Sequence, residues 1–147
     1  AAIGVAAHEC GHALQHRDGY LPLKIRSALV PAANIGSRLG LPIVFLGLFL
    51  GFGFELPGGA YFSLAQIGVW VFALAVLFQI VTLPVEFDAS GRALEMLGSY
   101  GLMNQGEVKD CKRVLSAAAL TYVAAAASSI LQLLRLALLA GGRRRDD

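Results

Sequence analysis

The chain has 147 residues and a formal net charge of +2; 56% of its residues are hydrophobic and only 15% charged, against roughly 45–50% and about 25% in soluble globular proteins. That length suits one domain or a short run of membrane helices, and the composition favours the helices. It excludes a disordered chain, while having only Cys10 and Cys111 excludes a disulfide scaffold. So weak a charge, with no interleaving of basic and aromatic residues, gives no nucleic-acid-binding surface, and the expected partner is the lipid bilayer.

The chain opens Ala1-Ala2-Ile3-Gly4 without an initiator methionine, so an upstream part of the natural protein is expected. Ile3 to Gln15 has spacing compatible with a helix, which Tyr20 to Pro22 breaks. Leu39 to Phe54 is uncharged and short, stopped by Glu55 and the turn signal Pro57-Gly58-Gly59. Ala60 to Val85 is uncharged and longer than common core helices, which argues against buried helices of a large soluble protein. Together the two stretches read as a membrane hairpin. Its tip carries no Lys or Arg, whereas Arg17, Lys24, Arg26 and Arg38 precede it and Arg92, Lys109, Lys112 and Arg113 follow it, so both flanks are expected in the cytoplasm.

Val85 to Leu97 follows Pro84 and ends at Gly98, the pattern of a separate polar helix. Val114 to Leu134 is alanine-rich with no polar stripe of helical period, and reads as a third span. That span leaves Arg143, Arg144 and Arg145 on the outer side, which the positive-inside rule disfavours, and requires Arg135 to snorkel.

His8-Glu9-Cys10-Gly11-His12 is an HExxH sequence. Residues four apart share one helix face, so His8 and His12 can bind one Zn²⁺, with Glu9 beside it as general base. Glu9 would take a proton from water acidified by the metal and pass it to the leaving amine after attack on a peptide carbonyl. The small and apolar flanks Ile3, Val5, Ala6, Ala7, Ala13 and Leu14 suit a helix buried behind such a site.

A hydrolytic zinc site needs a third protein ligand and one open position. Glu86 is the first choice, because the hairpin returns it to the side of His8 and His12 where the helix leaves the membrane. Asp88 and Glu95 are the near competitors; on a helix Asp88 points well away from Glu86. His16 continues the histidine stripe, but about 12 Å of helix rise separates it from His8, too far to share one ion. It reads as a surface residue. Cys10 projects away from the two histidines and reads as a small packing residue, and Gly11 as a point of close helix packing. For the oxyanion, the candidate donors are Arg92, Tyr100 and His16.

With HECGH followed by Glu86-Phe87-Asp88-Ala89-Ser90, and with the stretches Arg26 to Pro31 and Leu83 to Phe87, nearly the whole chain resembles the YugP-like membrane zinc metallopeptidases of bacteria. In that family a further region precedes the zinc motif. A more distant likeness is to the HtpX and CAAX-prenyl protease type of membrane gluzincin, where HExxH is followed by a membrane hairpin and Glu-x-x-Ala-Asp, whose Glu binds zinc. Glu86 and Ala89 fall on that pattern. Ser90 replaces the Asp that would orient a zinc histidine, which leaves Asp88 as the alternative for that task.

The reading is thus an all-α multi-pass membrane protein of the cell membrane, a zincin-type HExxH helix followed by a transmembrane hairpin and a third transmembrane helix. Residues 1–38 form the zinc-motif helix and cytoplasmic linker, 39–85 the hairpin, 86–113 a cytoplasmic helix with the third ligand, 114–140 the third span and 141–147 a charged tail. The expected activity is peptide-bond hydrolysis with Zn²⁺ held by His8, His12 and Glu86, Glu9 as base, and a protein or peptide substrate on the cytoplasmic side. The rival is a membrane scaffold with a structural zinc, whose fourth position would be closed by Cys or His. A metal transporter fits less well, since no span carries an acidic residue or histidine in its interior.

Overall fold

Alanine, leucine and other good helix formers make up about half of the chain, and local signals divide it into four helices. In the computed structural model, which describes residues 1–55, 57 and 61–142, these are α1 (Ala2–Arg17), α2 (Leu21–Leu50), α3 (Leu64–Ser99) and α4 (Gln105–Gly142). The Arg143 to Arg145 cluster of the tail and most of the hairpin tip lie outside the described residues.

Each boundary has a chemical cause. Gly19, at φ 66°, closes α1 in a Schellman motif, its N–H donating to the His16 carbonyl while Tyr20 N–H donates to Gln15. Gly51, at φ 67°, ends α2. Ser63 and Gln66 cap α3 reciprocally, Gln66 N–H donating to Ser63 Oγ at 3.2 Å and Ser63 N–H to Gln66 Oε1 at 3.0 Å. Asn104 and Glu107 repeat that capping box at the start of α4, at 3.0 and 2.9 Å.

Two features depart from the sequence reading. Between α2 and α3, β1 (Gly53–Glu55) and β2 (Tyr61–Ser63) pair antiparallel with Phe54 opposite Phe62, a small ribbon at the expected hairpin turn. And Pro84 starts no separate helix but lies inside α3, as Pro31 and Pro42 lie inside α2. Proline costs an interior helix about 3 kcal/mol through one lost hydrogen bond and a ring clash. For Pro84 the packing of the residues beyond it, with Val85, Ala89, Ala93 and Leu97 all buried, offsets that cost.

The chain divides into two compact units. One comprises Ala1–Ala28 and Ile80–Ala125, with a core of Ala7, Ala93, Leu97, Cys111 and Leu115. The other comprises Leu29–Gln79 and the described part of Ala126–Asp147, with a core of Val44, Phe72, Val76 and Leu136. In this second unit α2 and α3 approach so closely that a Cβ on Gly40 would lie 2.8 Å from Phe72 Cα, the small-residue packing common between membrane helices.

α2, α3 and α4 are each long and apolar enough to cross a bilayer. Their outward faces carry Phe49 at 86%, Trp70 at 69% and Leu138 at 77% exposure, side chains suited to lipid rather than water. The architecture is that of an all-α multi-pass membrane protein.

Candidate metal centre

The candidate site is built entirely from residues of the first unit. Along α1 the buried residues are Gly4, Ala7, Gly11 and Gln15, a narrow stripe three to four residues apart. Ile3 and Val5, expected in the core, are exposed at 57% and 54%. Cys10 is exposed as well, so it does not pack as its size suggested. The stripe docks on α3 at Gly11, where a Cβ would collide with the Ala89 carbonyl oxygen. Only glycine allows so close an approach.

That approach sets the two histidines of α1 against Glu86 of α3. His8 Nε2 lies 3.1 Å and His12 Nε2 3.6 Å from Glu86 Oε2, with the imidazole rings edge to face at 84°. One donor atom from each of the three residues falls within 4.8 Å of the other two. Two imidazole nitrogens and one carboxylate oxygen are the ligand chemistry of hydrolytic zinc sites, so the residues present fit that ion. The side chain of Glu86 is only 3% exposed, against 16% for His8 and 22% for His12. A buried carboxylate is costly to desolvate unless it is paired or binds a metal. Arg26 Nη2 stands 3.8 Å from its other oxygen.

Glu9 is exposed and, with His8, His12 and Glu86, lines a cavity of about 410 Å³. Its apolar lining comes from Val5, Leu115, Ala118 and Ala119; the polar lining includes Arg26, Ser90 and Tyr122. The expected oxyanion donors lie outside it. Arg92 is engaged with Asp88 and Asp18, Tyr100 is 74% exposed, and His16 is exposed on α1. Arg26 and Tyr122 line the cavity instead, and both interact with Glu86. They were missed because Arg26 reads as a topology charge and Tyr122 lies inside an alanine-rich span.

The ring nitrogens turned away from Glu86 are also engaged. His8 Nδ1 lies 3.1 Å from Ser90 Oγ, so the serine that replaces the expected aspartate is itself in hydrogen-bond contact with a histidine of the motif. His12 Nδ1 lies 2.9 Å from Gln15 Oε1. Asp88 faces neither histidine but accepts from Gln15 Nε2 at 2.8 Å and from Arg92 Nε at 2.7 Å, and Glu95 is exposed. Neither competitor joins the group of donors around Glu86. Arg92 also reaches Asp18 at 2.6 Å, and hydrogen bonds from Arg17 and Arg92 hold the Asp18 carboxyl below its ordinary value. Gln15 escaped the sequence reading, although its spacing from His8 and His12 puts it on their helix face.

Comparison with known proteins gives a consistent result. A family model described as "Putative neutral zinc metallopeptidase" matches residues 1–141. The chain is also 44% identical over 138 residues to the Bacillus subtilis (strain 168) protein named "Putative membrane protease YugP". That match covers 94% of this chain and 57% of the relative, so the chain spans little more than half the relative's length. No solved structure matches. The family match runs from the first residue through nearly all of α4, and the chain belongs to the family that this model describes as "Putative neutral zinc metallopeptidase".

Proposed function

We propose that the protein is a membrane-embedded zinc peptidase that hydrolyses peptide bonds, with His8, His12 and Glu86 holding the ion and Glu9 as general base. The observation that carries this reading is the convergence of the three donors on the cavity that Glu9 also lines. Zinc bound there would polarise the scissile carbonyl and bring the pKa of a water down to about 7. Glu9 then accepts the proton of the attacking water and delivers it to the departing amine. Arg26 and Tyr122 donate hydrogen bonds to the carbonyl oxygen as it gains charge. The apolar lining of Val5, Leu115, Ala118 and Ala119 receives the side chains of the peptide.

The basic residues flanking the hairpin support a cytoplasmic location for this cavity at the cell membrane, with residues 39–85 and 114–140 as the membrane-crossing parts. A structural zinc would need a fourth protein ligand, usually Cys or His. Among the described residues the donor group has three members, and Cys10 is exposed, which supports an open site over the scaffold reading.

Zinc analysis of the full-length protein in detergent tests the ligand set. Wild type and His16→Ala retain stoichiometric zinc, and Glu86→Ala loses it. Equal loss in both variants contradicts the assignment.

A further inference from the structure

We infer that Gln15 is a positioning residue for His12: its side-chain oxygen fixes the imidazole tautomer and ring angle that turn Nε2 toward the metal. This rests on the zinc reading of the site and extends it to a residue that touches neither ion nor substrate.

Gln15 is fully buried, at 0% exposure, and each polar atom of its amide has a partner. Nε2 donates to the Val85 carbonyl oxygen and to Asp88 Oδ2, both at 2.8 Å. Both of those groups can only accept, so the reversed amide would set oxygen against two oxygens. The orientation is therefore determined by chemistry: Oε1 faces His12. An amide oxygen is an acceptor, hence Nδ1 of His12 carries the proton and Nε2 keeps its lone pair. That lone pair is what a metal ligand offers.

The lock is itself anchored. Asp88 accepts from Arg92 Nε at 2.7 Å, and Arg92 Nη1 donates to Asp18, the residue that follows α1, at 2.6 Å. The end of α1 is thereby tied to α3 just beyond Gln15, and rotation of the amide would break both Nε2 hydrogen bonds at once. His8 lacks this arrangement. Its Nδ1 partner is the hydroxyl of Ser90, which can donate or accept and so does not impose a tautomer.

Removing an outer partner of a zinc histidine typically weakens binding about 10–100-fold. Gln15→Met keeps the volume and helix propensity but has no strong acceptor for His12. The test is zinc titration of the full-length protein in detergent, combined with ¹⁵N–¹H spectra of its histidine rings. The expected result is a loss of zinc affinity of about 10–100-fold in Gln15→Met, with rapid solvent exchange of the His12 Nδ1 proton. The corresponding His8 signal stays as in wild type, which general loosening of the helix would not allow.

Wild-type affinity with an unchanged His12 ring signal in Gln15→Met overturns the proposal while leaving the zinc site standing. If that variant does not fold, Gln15→Ala replaces it, since alanine is the best helix former and likewise offers His12 no acceptor. Wild-type affinity with an unchanged His12 ring signal in Gln15→Ala then overturns the proposal. No zinc binding by wild type overturns the zinc reading and this inference together.

Discussion

His8 Nε2 and Glu86 Oε2 lie 3.1 Å apart although 78 positions separate the residues in the chain. Between them run all of α2, the β-ribbon and more than half of α3. A long excursion that returns a buried carboxylate to a histidine pair is a demanding arrangement, and the Gly11–Ala89 approach holds it in place.

That approach yields a stability prediction. Gly11→Ala drives a methyl group into the Ala89 carbonyl and forces α1 away from α3, a cost of about 1–3 kcal/mol by analogy with overpacked cores. Zinc affinity falls with it. Gly91→Ala is the control, since a Cβ there meets open space in the interior of α3 and gains up to about 1 kcal/mol of helix propensity. Thermal unfolding in detergent measures both; equal melting temperatures for the two variants contradict the packing argument.

For the oxyanion, Tyr122→Phe is expected to lower kcat per bound zinc by about 10²–10³ while KM stays near wild type, the behaviour of a donor used in the transition state; zinc content is measured alongside, because Tyr122 also hydrogen-bonds Glu86. Tyr100→Phe, which alters an exposed residue outside the cavity lining, leaves kcat unchanged. Steady-state kinetics on a peptide substrate separate the two; a Tyr122→Phe enzyme with wild-type kcat excludes the tyrosine.

Topology gives a prediction independent of chemistry. In a Cys10→Ala background, a cysteine introduced at Glu55 reacts with an impermeant maleimide added to intact cells, and one introduced at Lys112 reacts only after the membrane is opened. The reverse pattern puts the cavity outside the cell.

The parts of this site legible in the sequence are those that depend on local spacing or on hydropathy. His8, Glu9 and His12 are readable because four-residue spacing on a helix is geometry alone. Glu86 is readable because two uncharged stretches imply a return to the same side. Pro84 misleads because proline is a helix breaker on average, yet the buried Val85, Ala89, Ala93 and Leu97 that follow it hold the helix together past a single lost hydrogen bond. The capping boxes Ser63 to Gln66 and Asn104 to Glu107 were readable in principle and mark the true helix starts. Gln15, Ser90, Arg26 and Tyr122 were not assignable, because what matters for each is its partner, and the partners come from distant parts of the chain.

The measurement closest to the central claim is the paired zinc content and peptidase rate of Glu9→Gln. Glutamine has nearly the size and helix propensity of glutamate, but its amide cannot accept a proton near neutral pH. General acid–base assistance is worth about 10²–10⁴ in rate, so the variant should retain stoichiometric zinc and lose at least about 10² in kcat. A Glu9→Gln protein that keeps its zinc and cleaves peptides at the wild-type rate would contradict the account.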